Sequence, residues 1–332
     1  MAGLTMTQTA GFNDSIFAKS AAPIAMVLEQ SLESFEQQSA MNKIFSMRKS
    51  KHYAEKMTAI SAMGNFEPTG ENGAHPITDM NEVFSKTIEH MVYKNRFSVS
   101  REMIDDELIG LMRLRATKFS QSYGRTREAF AAAMISGATG RSIKFGGKNF
   151  STLAADGKPQ FSKEHPSFFD AKKTQSNLYA GAFSNTVLAK LETAMQNFEG
   201  DKGEILNLAP DTIIIPNDAQ LKYDVFEAIG ADKDPDTSNN GFNYNYGRWN
   251  VIVWPYWKVT VTGADKPFIL LDSAFNDLDG TAVWYDRVKL EVKAYVDNDT
   301  DAGVYDGYAR WGAGFNNWRG MVMGGVTGGT AL

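Results

Sequence analysis

The sequence predicts an α+β protein, on three observations. Residues 101–137 hold no proline and repeat apolar side chains at helical spacing. From Arg287 to Val296 apolar and charged residues alternate with period two, as in a strand with one buried face. Between these lie short apolar runs, Asp211–Ile215, Val251–Trp254 and Phe268–Leu271, which read as buried strands separated by amphipathic helices. At 332 residues the chain is long enough for about two domains.

The elements follow in chain order. Residues 1–20 are polar, small and unpatterned, an arm expected to lie against a neighbouring molecule rather than in a core. Ile24, Leu28, Leu32 and Phe35 then form one helical face, with Glu29, Glu33 and Glu36 between them. Lys43, Arg48, Lys49, Lys51 and Lys56 stand against Glu55 alone. That run reads as a solvated or intersubunit face. Its sharper reading gives Lys43, Arg48, Lys49 and Lys51 a weak, non-specific contact with enclosed nucleic acid, because phosphate contacts need only positive charge.

Residues 51–99 predict a long hairpin. Met57–Met63 is a first strand, Gly64–Asp79 an irregular stretch rich in Gly, Pro and Asn, and strand-like sequence resumes near Lys86. Such a hairpin has few residues for a core of its own, and two strands alone are marginal. It makes physical sense lying across another surface. Ser100 then suits an N-cap, Glu102, Asp105, Asp106 and Glu107 suit first turns, and Arg113, Arg115, Lys118, Arg125 and Arg127 follow. A continuous helix over 101–137 would run about 55 Å, with Gly110 and Gly124 as bending points. Gly137–Ser176 reads as a long loop. Phe183–Phe198 and Leu221–Ile229 read as helices, Ala231–Gly247 as a polar loop, and the tail from Gly312 as Gly-rich around Phe315 and Trp318.

A search for chemistry excludes more than it finds. There is no cysteine, hence no disulfide, thiolate metal site or cysteine nucleophile. The net charge of −5 argues against a dedicated nucleic-acid binder. No apolar run approaches the roughly 20 residues of a membrane span, and no basic-then-apolar start marks a secretory signal, so the expectation is a soluble, intracellular protein. The four histidines, His52, His75, His90 and His165, are scattered. Gly146-Gly147-Lys148 lacks the first glycine and the hydroxyl of a phosphate loop, since Ser142 and Asn149 stand there. Asp297, Asp299 and Asp301 open like a calcium loop, but Ala302 and Tyr308 replace its glycine and bidentate glutamate. No catalytic residue, metal ligand or cofactor is expected.

Several segments resemble, in order, the Mu-like major head subunit family of tailed bacteriophages. The most specific is Asp156-Gly157-Lys158-Pro159-Gln160-Phe161-Ser162-Lys163-Glu164-His165-Pro166; Pro210–Pro216, Trp249–Pro255, Pro267–Ser273 and Ala309–Gly325 follow. The resemblance covers roughly residues 100–325 and implies the Johnson fold of phage major capsid proteins. That fold would comprise an N-terminal arm (1–50), an extended loop (51–99), a peripheral domain with a spine helix (100–180), an axial domain (181–285) and peripheral return strands with a C-terminal tail (286–332). It implies pentamers and hexamers in an icosahedral shell around double-stranded DNA, a virion location, assembly in the bacterial host cytoplasm, and a portal protein and a decoration protein as partners. No long charged helical prosegment precedes the arm, so a separate scaffolding protein is expected and maturation cleavage is not. Candidate intersubunit contacts are Phe66, Pro68, His75 and Ile77 in the loop, the anchor Phe161, and Phe242, Tyr244 and Tyr246 near the capsomer centre. The alternatives are an encapsulin-type compartment of the same fold and, from another class, a soluble hydrolase or binding protein.

Overall fold

The computed structural model describes residues 4–8, 17–61, 63, 66, 68–71, 73–75, 80–106, 108–230, 243–258 and 266–332. In order, its elements begin with β1 (Thr5–Gln8), α1 (Ala18–Gln38), α2 (Met41–Ile44), β2 (Ser46–Lys49), β3 (Ala54–Ile60), β4 (Glu82–Glu89) and β5 (Met91–Val99). Then come α3 (Arg101–Asp105), α4 (Ile109–Ser136), β6 (Ser142–Phe145), β7 (Lys148–Ser151), β8 (His165–Pro166), β9 (Thr174–Gln175), α5 (Asn185–Gln196), β10 (Thr212–Pro216) and α6 (Ala219–Gly230). The chain ends with β11 (Asn250–Trp254), β12 (Phe268–Leu271), α7 (Ser273–Asp279), β13 (Ala282–Asp297), β14 (Ala302–Phe315) and β15 (Met321–Gly324). Contacts divide it into two units.

Unit 1 comprises Met1–Glu55, Ile88–Ala131 and Trp284–Ala313. Its sheet has the order β1-β13-β14-β5, with β2 also on β13. The period-two pattern of β13 is realised: Leu290, Val292 and Ala294 are buried while Glu291 and Lys293 are exposed. Against that buried face pack Ile24, Leu28 and Leu32 of α1 and Met112, Ala116 and Phe119 of α4. The arm expectation needs correcting in two places. Thr5–Gln8 pairs in parallel with Glu291–Ala294 of its own sheet, and Phe17 is a core residue with room made for its ring by Gly303.

The expected continuous helix is also corrected. It breaks after Asp105, where Leu108 N–H reaches back to the Met103 carbonyl, and α4 proper has 28 residues, about 42 Å. Aspartates at 105 and 106 are poor helix interiors, because their side chains compete for backbone groups, and Gly110 follows closely. Ser100 holds the N-cap backbone conformation, but its hydroxyl makes no cap bond. Gly124 is not a bend. A Cβ there would lie 2.6 Å from the Phe35 ring, so glycine admits α1 against α4.

Unit 2 comprises Lys56–Thr87, Ala132–Val283 and Gly314–Leu332. Its sheet has the order β11-β10-β12-β15, with β10 and β11 parallel and the other pairs antiparallel. Ile213, Ile215, Leu270 and Val322 pack against Leu188, Leu191 and Met195 of α5 and Leu221 and Val225 of α6. The Ser184 hydroxyl accepts the Val187 N–H at the start of α5, and the Asp272 carboxylate accepts the Phe275 N–H at the start of α7. The predicted loop Gly137–Ser176 contains a hairpin instead. Gly146 and Gly147, at φ +55° and +79°, make a two-residue turn joining β6 to β7. β3 and β4 form the predicted hairpin, whereas β5 leaves it to pair with β14.

Candidate intersubunit surfaces

Three constellations with chemical potential resolve into structural roles. Ser50, His90 and Glu55 lie together, but in the wrong order for a nucleophile. The Ser50 hydroxyl donates to Glu55 Oε1 at 2.6 Å, and His90 Nε2 lies 2.8 Å from Ser50 Oγ. A relay would put the carboxylate on the far ring nitrogen, yet among the described residues the buried His90 Nδ1 has no hydrogen-bond partner. Burial, first, and then Arg310 hold the His90 imidazole below its ordinary value, while the Ser50 hydrogen bond lowers the Glu55 carboxyl. At the β13–β14 turn, Asp297 accepts the Asp299 N–H and the Thr300 hydroxyl, and Asp301 pairs with Arg101 at 2.8 Å. Among the described residues no group of acids and histidines is arranged to hold a metal ion.

The third constellation is the Asp156–Pro166 segment. Asp156 Oδ1 accepts the Lys158 N–H across the Gly157 turn, and Oδ2 lies 2.6 Å from His165 Nδ1. His165 Nε2 meets Asn177 Oδ1 at 3.1 Å, and the ring stacks on Trp318 at 4.3 Å. The Asn177 amide also bonds the carbonyls of Gln160 and Met321. This turns the segment inward and buries Phe161 at 1% exposure. Phe161 is therefore a core residue of its own chain, correcting its assignment as an intersubunit anchor.

The remaining candidates fall on surfaces. Phe66 is fully exposed at 103%, and Pro68 and His75 are exposed with it. Ile77 and Phe242 lie outside the described residues. Tyr244 and Tyr246 alternate with two buried asparagines. Asn243 donates to the Ala228 carbonyl and Asn245 accepts from the Trp249 indole, which turns both tyrosines outward at 58% and 51% exposure. The Arg248 guanidinium lies 4.0 Å above the Tyr244 ring and pairs with Glu192 at 2.6 Å. Lys43, Lys49 and Lys51 are exposed, while Arg48 is half-buried and bonded to Tyr285. Sequence reading missed Ile60, Met63 and Met80 around the hairpin and Tyr223 and Phe226 on the outer face of α6, all half or more exposed. The helical phase of Leu221, Val225 and Ile229 could have separated the last two.

These are exposed apolar side chains, and comparison with known proteins accounts for them. A family model described as phage capsid protein matches residues 85–324. The chain belongs to the phage capsid protein family. No curated protein sequence matches it. Among solved structures, a chain of Mycobacterium phage Patience is similar at 12% identity over 98% of this chain and 93% of that one, with a TM-score of 0.53. The capsid of a native GTA particle is similar at 12% identity over 88% and 90%, with a TM-score of 0.51. The fold is thus the Johnson fold of phage capsids, and the protein is a structural major capsid protein of the virion shell. A capsid protein keeps apolar side chains uncovered in the isolated subunit because other subunits cover them in the shell. The soluble-hydrolase alternative does not stand beside this family membership.

Proposed function

We propose that copies of this chain assemble as pentamers and hexamers into a closed icosahedral shell around packaged double-stranded DNA, with no catalytic step. The observation that carries the reading is the β3–β4 hairpin, whose Phe66 is fully exposed and whose Met63 and Met80 are more than half exposed. Burying such surfaces on neighbours, over a few thousand Å² per set of contacts, is what would hold a permanent shell together. In this reading Tyr244 and Tyr246 meet their copies around the capsomer axis, and Lys43, Lys49 and Lys51 give DNA a weak, salt-sensitive contact. A separate scaffolding protein, a portal protein and a decoration protein complete the partners, and assembly takes place in the host cytoplasm. The Asp156–Pro166 segment supports a place with Mu-like head subunits inside the family. Size-exclusion chromatography with electron microscopy of the purified chain is the test. Uniform closed particles in the void volume are expected. A discrete monomer at high concentration, or particles filled with cargo protein instead of DNA in infected cells, overturns the reading.

A further inference from the structure

The chain leaves unit 1 after Glu55 and re-enters it at Ile88, so the β3–β4 hairpin is attached through two short junctions. At the first, residues 50–53 join β2, which pairs with β13, to β3, which pairs with β4. At the second, His90 alone separates β4 from β5, which pairs with β14.

Side chains tie these junctions to each other. Ser50 is fixed on β13 by its N–H, which donates to the Asp286 carbonyl at 3.1 Å. Its hydroxyl proton goes to Glu55 Oε1 at 2.6 Å, so its oxygen accepts from His90 Nε2 at 2.8 Å. Neutral His90 therefore carries its one ring proton on Nε2 and leaves Nδ1 bare. Ser50 and His90 are both buried, the ring at 4% exposure. Backbone of β14 closes the far side of the ring: a Cβ on Gly312 would lie 3.2 Å from Nδ1 and 2.5 Å from the Glu89 carbonyl. Among the described residues Nδ1 has no hydrogen-bond partner, so a second ring proton would be buried without an acceptor. The surrounding charges oppose that proton as well. Arg310 of β14 and Arg287 of β13 act on the ring, Tyr285 of β13 meets it edge-on at 6.0 Å, and Arg48 of β2 bonds that tyrosine. Glu55 pulls the other way, more weakly than burial or Arg310, while His52 lies near Glu55 and the Glu89 side chain is exposed.

We propose that Ser50, Glu55 and His90 form a proton-operated latch at the root of the hairpin. Neutral His90 fastens the two junctions together. In acid a proton from water adds at Nδ1, the imidazolium leaves its dry seat for solvent, and the Nε2–Ser50 hydrogen bond is lost. The junctions then loosen while both cores stay folded. The proposal concerns the single chain and does not rest on the shell reading.

Hydrogen exchange of unassembled subunits tests it, with rates corrected for the pH dependence of the chemical step. Amides of residues 50–55 and 87–91 should exchange about tenfold faster at about pH 5 than at about pH 7. That gain should be insensitive to low, non-denaturing urea, as local opening is, whereas exchange in α4 rises with urea. His90→Gln keeps an amide donor for Ser50 but has nothing to titrate, so its junctions should exchange alike at both pH values. Ser50→Ala removes the acceptor and should loosen the junctions already at neutral pH. Thermal melts show whether each variant folds; should His90→Gln not fold, the wild-type titration and Ser50→Ala still decide. Three results overturn the latch: no acid gain at the junctions, the same gain in His90→Gln, or Ser50→Ala junctions as protected as those of the wild type at neutral pH. A gain shared by α4 and growing with urea would assign the His90 proton to unfolding of the whole chain, and overturns it too.

Discussion

Arg127 and Asp286 show how single residues hold unit 1 together. The guanidinium donates to both carboxylate oxygens at 3.2 and 3.0 Å and lies over the Trp284 ring at 5.1 Å, with both partners nearly sealed from solvent. Removing one partner strands the other charge in a poor dielectric. Asp286→Ala should therefore cost about 3 kcal/mol or more, whereas Arg127→Met combined with Asp286→Leu should recover much of it. Urea unfolding of unassembled subunits measures both; equal losses would show that stranded charge is not the cause. His90 gives a pH dependence. Burial first and then Arg310 outweigh the opposing pull of Glu55 and, with Arg287 adding least, hold its imidazole below the ordinary 6.5. The unfolded chain then binds a proton near 6.5 that the folded chain does not, so stability falls as pH drops through that value. Between about pH 7 and about pH 5 the wild type should lose stability more steeply than His90→Gln; parallel curves would remove His90 from the account.

Among elements, α4 decides most. Propensity alone says that either of its glycines becomes better as alanine, by roughly 0.5–1 kcal/mol. The structure separates them. Gly110 has open space around its missing Cβ, so Gly110→Ala should stabilise by about 0.5 kcal/mol. At Gly124 the new Cβ would meet the base of the Phe35 ring, not a flexible tip, so Gly124→Ala should destabilise by about 1–3 kcal/mol. Thermal melts of the two variants should move in opposite directions. Proline belongs in the same test. Leu111 lies in the first turn, where its N–H bonds the Leu108 carbonyl at 3.0 Å and proline would lose that one bond, whereas Gln121→Pro sits mid-helix and should cost about 3 kcal/mol or more. What was legible in the sequence follows from the same physics. Periodicity reported α1, α5, α6, β10, β11, β12 and the buried face of β13, because burial imposes period on side chains. It could not report Gly124, whose reason is a ring 89 residues away in sequence, nor the Phe17 seat made by Gly303. The Gly146-Gly147 turn is present as a dipeptide, which sequence reading weighed only as a phosphate loop and rejected, without seeing a hairpin turn. Phe161 carried the right segment and the wrong role, because inward turning depends on Asn177 and Trp318, which no local spacing reveals.

At the scale of the whole molecule, the decisive fact is unequal coverage. Both units bury continuous cores, with Ile213, Ile214 and Ile215 of one and Leu28 and Ala116 of the other fully enclosed. The β3–β4 hairpin leaves Ile60, Met63, Phe66 and Met80 more than half exposed. Ser61 and Asn81 exchange hydrogen bonds where the β3–β4 ladder ends, and β4 meets the rest of unit 2 through Phe84, edge-on to Phe168 at 5.1 Å, and Lys86, which reaches Ser151 at 2.9 Å. The described side chains beyond that point, Met63, Phe66 and Met80, are more than half exposed and give little apolar contact to resist local opening, and proteases cut where local opening is cheap. Limited proteolysis of free subunits should therefore cleave first between Ser61 and Asn81, leaving both cores intact. In assembled shells the same segment should be protected by at least tenfold in rate, since a neighbour's surface would then supply the contacts its own chain lacks. Phe66→Ala should leave the melting of the free subunit unchanged, because a fully exposed ring contributes nothing to its own fold, while weakening assembly and partly restoring cleavage in the shell. If free and assembled chains are cut at equal rates, the hairpin gains no cover on assembly, and the exposed aromatic on its tip must be explained by something other than a second copy.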